Sequence, residues 1–189
     1  MKKIRLVFAI TTILLFSTGI MNIYVQIEFE NVKNEQDWAE LLKAAEKQEK
    51  LIFLDIYATW CGPCKYIDQN VYPLESVGKV YNKYYLNVKI DGETEFGRKL
   101  ARKFKLTAYP SMYYLSPEEV LITKIVGVKQ GPELSAFGEK IYQYSDKILD
   151  YHQRFEKNDL TASELKDYYS ILSEIGEEEQ AMKLSRELV

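Results

Sequence analysis

Cys61 and Cys64, separated by Gly62 and Pro63, are the only two cysteines of this 189-residue chain. They stand between an apolar run, Leu51 to Ala58, and a stretch whose apolar residues Ile67 and Val71 recur at helical spacing. A thiol at a helix start faces unpaired backbone N–H groups and the positive end of the helix dipole, and both favour the thiolate. Cys61 is therefore read as the attacking group. Cys64, one turn further in, is expected to be less exposed and less favoured as a thiolate, and to attack the mixed disulfide that Cys61 forms. Pro63 suits the first helical turn and stiffens the loop between the thiols. Two duller readings compete. A stapling disulfide across four residues would gain only about 2 kcal/mol. Half a zinc site would lack a second cysteine pair, with His152 as the chain's single histidine. His152 itself shares helical spacing with Ile148 and Phe155 and reads as a helix-packing or surface residue.

Two further residues bear on this chemistry. Asp55 is a lone carboxylate inside the apolar string Leu51-Ile52-Phe53-Leu54-Asp55-Ile56-Tyr57-Ala58. Burial of a carboxylate is costly and raises its pKa, so Asp55 is placed to accept the proton of Cys64 when that thiol attacks; the competing reading turns it to solvent at a sheet edge. Pro110, after Tyr109, precedes the strand-like Ser111 to Leu115. A proline cannot donate to a ladder and belongs at a strand start, where a cis peptide is one available device.

The elements that must hold these residues follow from patterning. Asn34 caps a helix with Trp38, Leu41, Leu42 and Ala45 on one face. The continuous apolar run Leu51 to Ala58 is a strand buried on both faces, as in parallel sheets. The helix opened by the cysteines breaks near Pro73 and resumes through Val77, Val80 and Tyr81, after which Leu86, Val88 and Ile90 alternate as a strand. Phe96, Leu100, Ala101 and Phe104 make another helix. Ser111 to Leu115 and Val120 to Val126 flank Ser116-Pro117-Glu118-Glu119 as an antiparallel hairpin, and Gly131-Pro132 opens a helix with Leu134, Phe137 and Ile141 inward. The order β, α, β, α, β, β, α predicts a mixed sheet with helices on both faces. From about residue 146 the sequence is charged and wholly helical. Thr161 to Glu164 form a capping box, Gly176 closes that helix, and a last helix carries Ala181, Met182, Leu184 and Leu188. This C-terminal α-helical extension is read as an annex packed on the main domain, with a partner-binding surface as the rival.

The chain's 47% hydrophobic and 28% charged residues suit one globular domain plus a small annex. Residues 1–19 read as a signal peptide, with Lys2, Lys3 and Arg5 ahead of the apolar run Leu6 to Phe16 and the small residues Ser17, Thr18 and Gly19. The alternative is an uncleaved membrane anchor over 1–25. Export would place the thiols in a periplasmic or other extracytoplasmic compartment where disulfides persist. The net charge is −3; without the first 19 residues, 22 basic residues face 28 acidic ones, giving −6. That balance argues against nucleic-acid binding.

The string Trp60-Cys61-Gly62-Pro63-Cys64-Lys65, Asp55 six residues ahead of Cys61, Pro110 and Gly127 together resemble the thioredoxin superfamily over residues 27–145, most nearly its exported bacterial members. The resemblance implies a thioredoxin fold, a mixed central sheet flanked by helices, with 146–189 outside it. It implies Cys61 as nucleophile, Cys64 as resolving thiol and a cis Pro110 beside them, with Trp60, Gly62, Pro63, Tyr109 and Pro110 forming the surface that meets substrate. The activity implied is thiol–disulfide exchange with protein substrates, without metal or cofactor. A Gly-Pro dipeptide between the cysteines resembles the reducing members, recharged by a membrane thiol–disulfide carrier; an oxidase or isomerase, or a redox-active adaptor using its C-terminal helices, are the alternatives. Three departures stand out. Gln69 replaces the family's helix-kinking proline, Asn87 the lysine that accompanies the buried aspartate, and Tyr109 and Ser111 the usual neighbours of the cis-proline.

Overall fold

In a computed structural model, which describes residues 25–187, five strands form one mixed sheet in the order β1-β3-β2-β4-β5. The strands are β1 (Phe29–Glu30), β2 (Leu51–Tyr57), β3 (Tyr85–Asp91), β4 (Ser111–Leu115) and β5 (Leu121–Val126). The central strand β2 runs parallel to β3 and antiparallel to β4, with Asp55 opposite Lys89 on one side and Met112 on the other. All of β2 is buried except Tyr57, as expected for a strand covered on both faces. The segment proposed for export falls outside the described residues apart from Val25. Among the described residues no helix is long and apolar enough to cross a membrane.

Helices cover both faces. On one, α1 (Glu35–Gln48) and α4 (Glu95–Lys103) bury Trp38, Leu41, Ala45, Phe96 and Leu100 against Ile52, Leu54, Ile56, Val88 and Tyr113. Asn34 caps α1, its side chain accepting from the backbone N–H groups of Gln36 and Asp37. The opposite face carries α2 (Gly62–Asn70), α3 (Glu75–Tyr84) and α5 (Gly131–Phe155) over Phe53, Tyr85, Met112 and Tyr114. Strand periodicity makes Asp55 share this second face with Phe53, beneath α2. Pro73 separates α2 from α3, as expected from its inability to continue a helix.

Two features differ from the pattern-based expectation. The short strand β1 pairs with β3 through Phe29 and Glu30; two residues are too few for periodicity to reveal. Helix α5 runs unbroken for 25 residues, so the change of texture at 146 falls within one helix. Along with α6 (Ala162–Glu174) and α7 (Glu178–Glu187), its second half joins the main core: Ile148, Tyr151, Tyr168, Ile171, Leu172 and Leu184 belong to the same buried cluster as Phe53 and Tyr114. The annex thus packs on the domain. The capping box at Thr161 and Glu164 forms as read.

Leu172 is fully buried in that shared cluster. Leu172→Ala should cost about 2–5 kcal/mol in urea unfolding, with a single transition retained. A cost below about 1 kcal/mol, or a second transition, would show that the C-terminal helices fold apart from the sheet.

Candidate active site

Strand β2 ends at Tyr57, and four residues later Cys61 caps α2, accepting the Cys64 backbone N–H on its Sγ at 3.1 Å. Pro63 lies in the first turn, where a missing N–H costs nothing. Cys61 and Cys64 are joined by a disulfide. In this oxidised state both are buried, 3% and 2% exposed, so accessibility does not separate them; their positions along the helix do. Cys61 sits ahead of the helical N–H groups and Cys64 within the turn.

The disulfide lies in apolar surroundings. Ala58 completes its buried cluster, with Tyr57 and Tyr109 packed against it. Trp60 is 68% exposed and meets the Tyr109 ring edge-on at 5.6 Å, forming an aromatic shoulder beside the cysteines. Gly62 and Pro63 are exposed. The Tyr109–Pro110 peptide is cis, as expected. The Pro110 carbonyl accepts the N–H of Gly127 at 2.9 Å, and Gly127 takes a left-handed φ of 93° that suits a residue without a Cβ. Gly92 was not singled out from the sequence, yet a Cβ there would lie 2.6 Å from the Tyr109 hydroxyl, so its bareness lets that ring stand where it does.

Asp55 is 2% exposed, which rules out the solvent-facing reading. Its Oδ2 accepts a hydrogen bond from the Tyr72 hydroxyl at 2.9 Å, while Oδ1 has no hydrogen-bond partner among the described residues. Burial pushes this carboxyl up to about 7; Lys89 and the Tyr72 hydrogen bond pull it back, and Asp68 adds to the rise. The positive charge that Asn87 fails to supply therefore comes from Lys89, two residues along β3 and directly across from Asp55. Lys89 is bonded to Asp68 of α2 and stands over the Tyr57 ring, 4.4 Å from its centroid. Alternation along β3 was the available signal: with Leu86, Val88 and Ile90 on one face, Lys89 must share the other with Asp55. Nothing in the sequence marked Tyr72. His152 belongs elsewhere, its Nδ1 lying 3.3 Å from the Tyr168 hydroxyl where α5 meets α6.

A strand-loop-helix unit with a disulfide at the helix start, a buried carboxyl on the strand and a cis-proline loop whose Tyr109 packs against the cysteines is suited to thiol–disulfide exchange. A family model described as thioredoxin-like matches residues 33–117. Thioredoxin H3 of Arabidopsis thaliana is 32% identical over 95 residues, covering 50% of this chain and 75% of that protein. The chain belongs to the thioredoxin superfamily. The solution structure of a candidate disulphide-isomerase from Bacteroides thetaiotaomicron is similar to this thioredoxin-like protein with a TM-score of 0.54 and 32% identity, over 64% of this chain and 95% of that one. The thiol:disulfide interchange protein DsbD of Pseudoalteromonas atlantica is 26% identical over 116 residues, 60% of this chain; the chain spans only 20% of DsbD's length. Thioredoxins are thiol–disulfide oxidoreductases, and this thioredoxin-like redox protein has the cysteine pair that such exchange uses.

The shifted Asp55 has a measurable consequence. Below its ordinary value near 3.8 the carboxyl is neutral in both folded and unfolded chains; as pH rises towards 7 the unfolded chain ionises freely while the folded one resists. Folded stability therefore falls across that window, by about 4 kcal/mol when complete. Asp55→Asn should raise the melting temperature of the oxidised protein more at pH 8 than at pH 5. An equal change at both pH values would show that Asp55 titrates alike in the folded and unfolded chains.

Proposed function

We propose that this protein is an exported thiol–disulfide reductase of protein substrates, with residues 27–145 as its redox domain and 146–189 as a stabilising extension. The observation that carries the reading is the Cys61–Cys64 disulfide at the start of α2, directly after the strand that buries Asp55. In the reduced protein the Cys61 thiolate attacks a substrate disulfide, forming one mixed S–S bond and releasing one substrate thiolate. Cys64 then gives its proton to Asp55 and attacks the Cys61 sulfur. The new intramolecular bond releases the second substrate thiolate, leaving the substrate reduced and this protein oxidised. Trp60, Gly62, Pro63, Tyr109 and Pro110 form the surface on which the substrate chain rests, an assignment supported by the exposed Trp60 and its ring contact with Tyr109.

Return to the dithiol needs an electron donor. A membrane thiol–disulfide carrier is the class we assign, on the export-like residues 1–19 and on the similarity to one part of a DsbD, a thiol:disulfide interchange protein. These features also support a periplasmic or other extracytoplasmic location. The Gly-Pro pair between the cysteines favours reduction over oxidation. The similarity to a candidate disulphide-isomerase favours isomerisation as the second reading.

Thiol alkylation of the reduced protein across pH should modify Cys61 first, because only it begins the helix; equal titration of both thiols would remove the assignment of roles. Cys64→Ser should retain attack and accumulate mixed disulfides, and Cys61→Ser should abolish exchange. With a chemical reductant supplied, the wild-type protein should reduce insulin. Rearrangement of a scrambled disulfide protein without net insulin reduction would favour the isomerase.

A further inference from the structure

The proposed mechanism leaves three polar side chains around Asp55 without a task. Tyr72 lies in the loop between α2 and α3, and its position is fixed on every side. Its backbone N–H donates to the Ile67 carbonyl at 3.0 Å and its own carbonyl accepts from Ile27 at 3.1 Å. Its ring meets Phe29 and Phe53 edge-on, at 5.1 and 6.3 Å. So held, the hydroxyl reaches only one oxygen of the carboxyl, Oδ2. Burial and the neighbouring Asp55 keep this phenol protonated far above neutral pH, so it serves as a donor in both charge states of Asp55. Lys89 is equally constrained: it pairs with Asp68, lies over the Tyr57 ring and stands 6.0 Å from the centroid of Tyr72. Its side chain is 18% exposed and that of Asp68 35%, so the pair links the buried carboxyl's surroundings to the surface.

We propose that Tyr72 and Lys89 are positioning residues for the resolving step: Tyr72 occupies Oδ2 and leaves Oδ1 as the oxygen that takes the Cys64 proton, while Lys89, anchored by Asp68, supplies the positive charge that keeps Asp55 ionised beforehand. The inference rests on Asp55 being the proton acceptor. During resolution the S–H bond of Cys64 breaks and an O–H bond forms on Oδ1. The sulfur's electron pair makes the Cys64–Cys61 bond, and the pair of the broken Cys61–substrate bond leaves on the substrate sulfur. Tyr72 and Lys89 transfer nothing; they set which oxygen reacts and the pH at which it is ready. The charged and titratable groups facing Asp55 are Tyr57 on its own strand, Lys89 on β3, Tyr114 on β4, Asp68 on α2 and Tyr72 in the following loop. Lys89 is the one positive charge among these five.

The test is the pH dependence of mixed-disulfide resolution in the full chain, followed by release of a small aromatic thiol preloaded on Cys61. Asp55→Asn serves as the reference and should lose the limb near neutral pH. Tyr72→Phe and Lys89→Met each remove something that favours the carboxylate, so each should move the midpoint of that limb upward by about one pH unit, a slowing of about tenfold below the midpoint. Lys89→Arg keeps the charge and should keep the wild-type midpoint. Melting curves identify any variant that fails to fold, and the conservative Tyr72→Phe leaves the ring contacts in place. Wild-type midpoints in both Tyr72→Phe and Lys89→Met, with the limb lost in Asp55→Asn, would overturn the positioning roles and leave Asp55 as acceptor. Persistence of the limb in Asp55→Asn would overturn the acceptor itself.

Discussion

The carboxyl of Asp55, held inside the second-face core beneath α2, is the constraint around which the active end of the molecule is arranged. A strand covered on both faces has no route to water, and a charge there is tolerated only when neutralised or surrounded by compensating groups. This chain uses both devices. Burial keeps the carboxyl near a neutral-pH transition, and one hydroxyl and one lysine prevent the shift from going further. The Tyr72 hydroxyl is delivered by the loop at Pro73, and Lys89 by the parallel register of β2 and β3. A one-residue slip in that register would send Lys89 to the opposite face and leave the carboxyl without its cation.

The same face of the sheet is unusually rich in tyrosine, and each buried hydroxyl creates a hydrogen-bonding obligation. Tyr81 and Tyr114 satisfy one another at 2.5 Å, Tyr81 also donates to the Leu134 carbonyl, and Tyr85 donates to the Gly138 carbonyl. Both carbonyls belong to α5. Gly138 also admits the Tyr81 ring, which a Cβ would meet at 2.9 Å. Helix α5 is thereby tied to α3 and to the sheet by directional bonds as well as by packing. Because the helix continues to Phe155 and carries α6 and α7 with it, the extension shares the core on which the site stands.

Most of this architecture was legible in the sequence because its signals are local. The Asn34 cap, the apolar run of β2, the alternation of β3 and the Gly131-Pro132 helix start each depend on a few neighbouring residues. Asp55 was readable for the opposite reason, as a polar residue violating its own strand's pattern. What escaped detection is long-range. Strand β1 has two residues and exists through its pairing with β3, and Tyr72 acquires its role only when the chain folds its loop back over β2. Lys89 lies between these cases. Matching by sequence placed the expected cation at position 87, where Asn87 stands, whereas the register places the charge at 89.

That displacement bears on how the superfamily's chemistry tolerates change. An electrostatic requirement at a buried carboxyl is met by a charge at the right place in space, and a parallel strand offers alternate residues on the same face as equivalent sources. Asn87 and Lys89 are two such residues. With the lysine at 89, its ammonium faces α2 and is fixed by Asp68, while Asn87 turns its amide to the Glu28 carbonyl and the Asn82 side chain near β1. The charge at 89 stands nearer the active end of the strand than 87 does and is anchored on the helix that bears the cysteines. A charge that is absent at position 87 in the linear sequence is present, in the folded chain, at a neighbouring position on the same face.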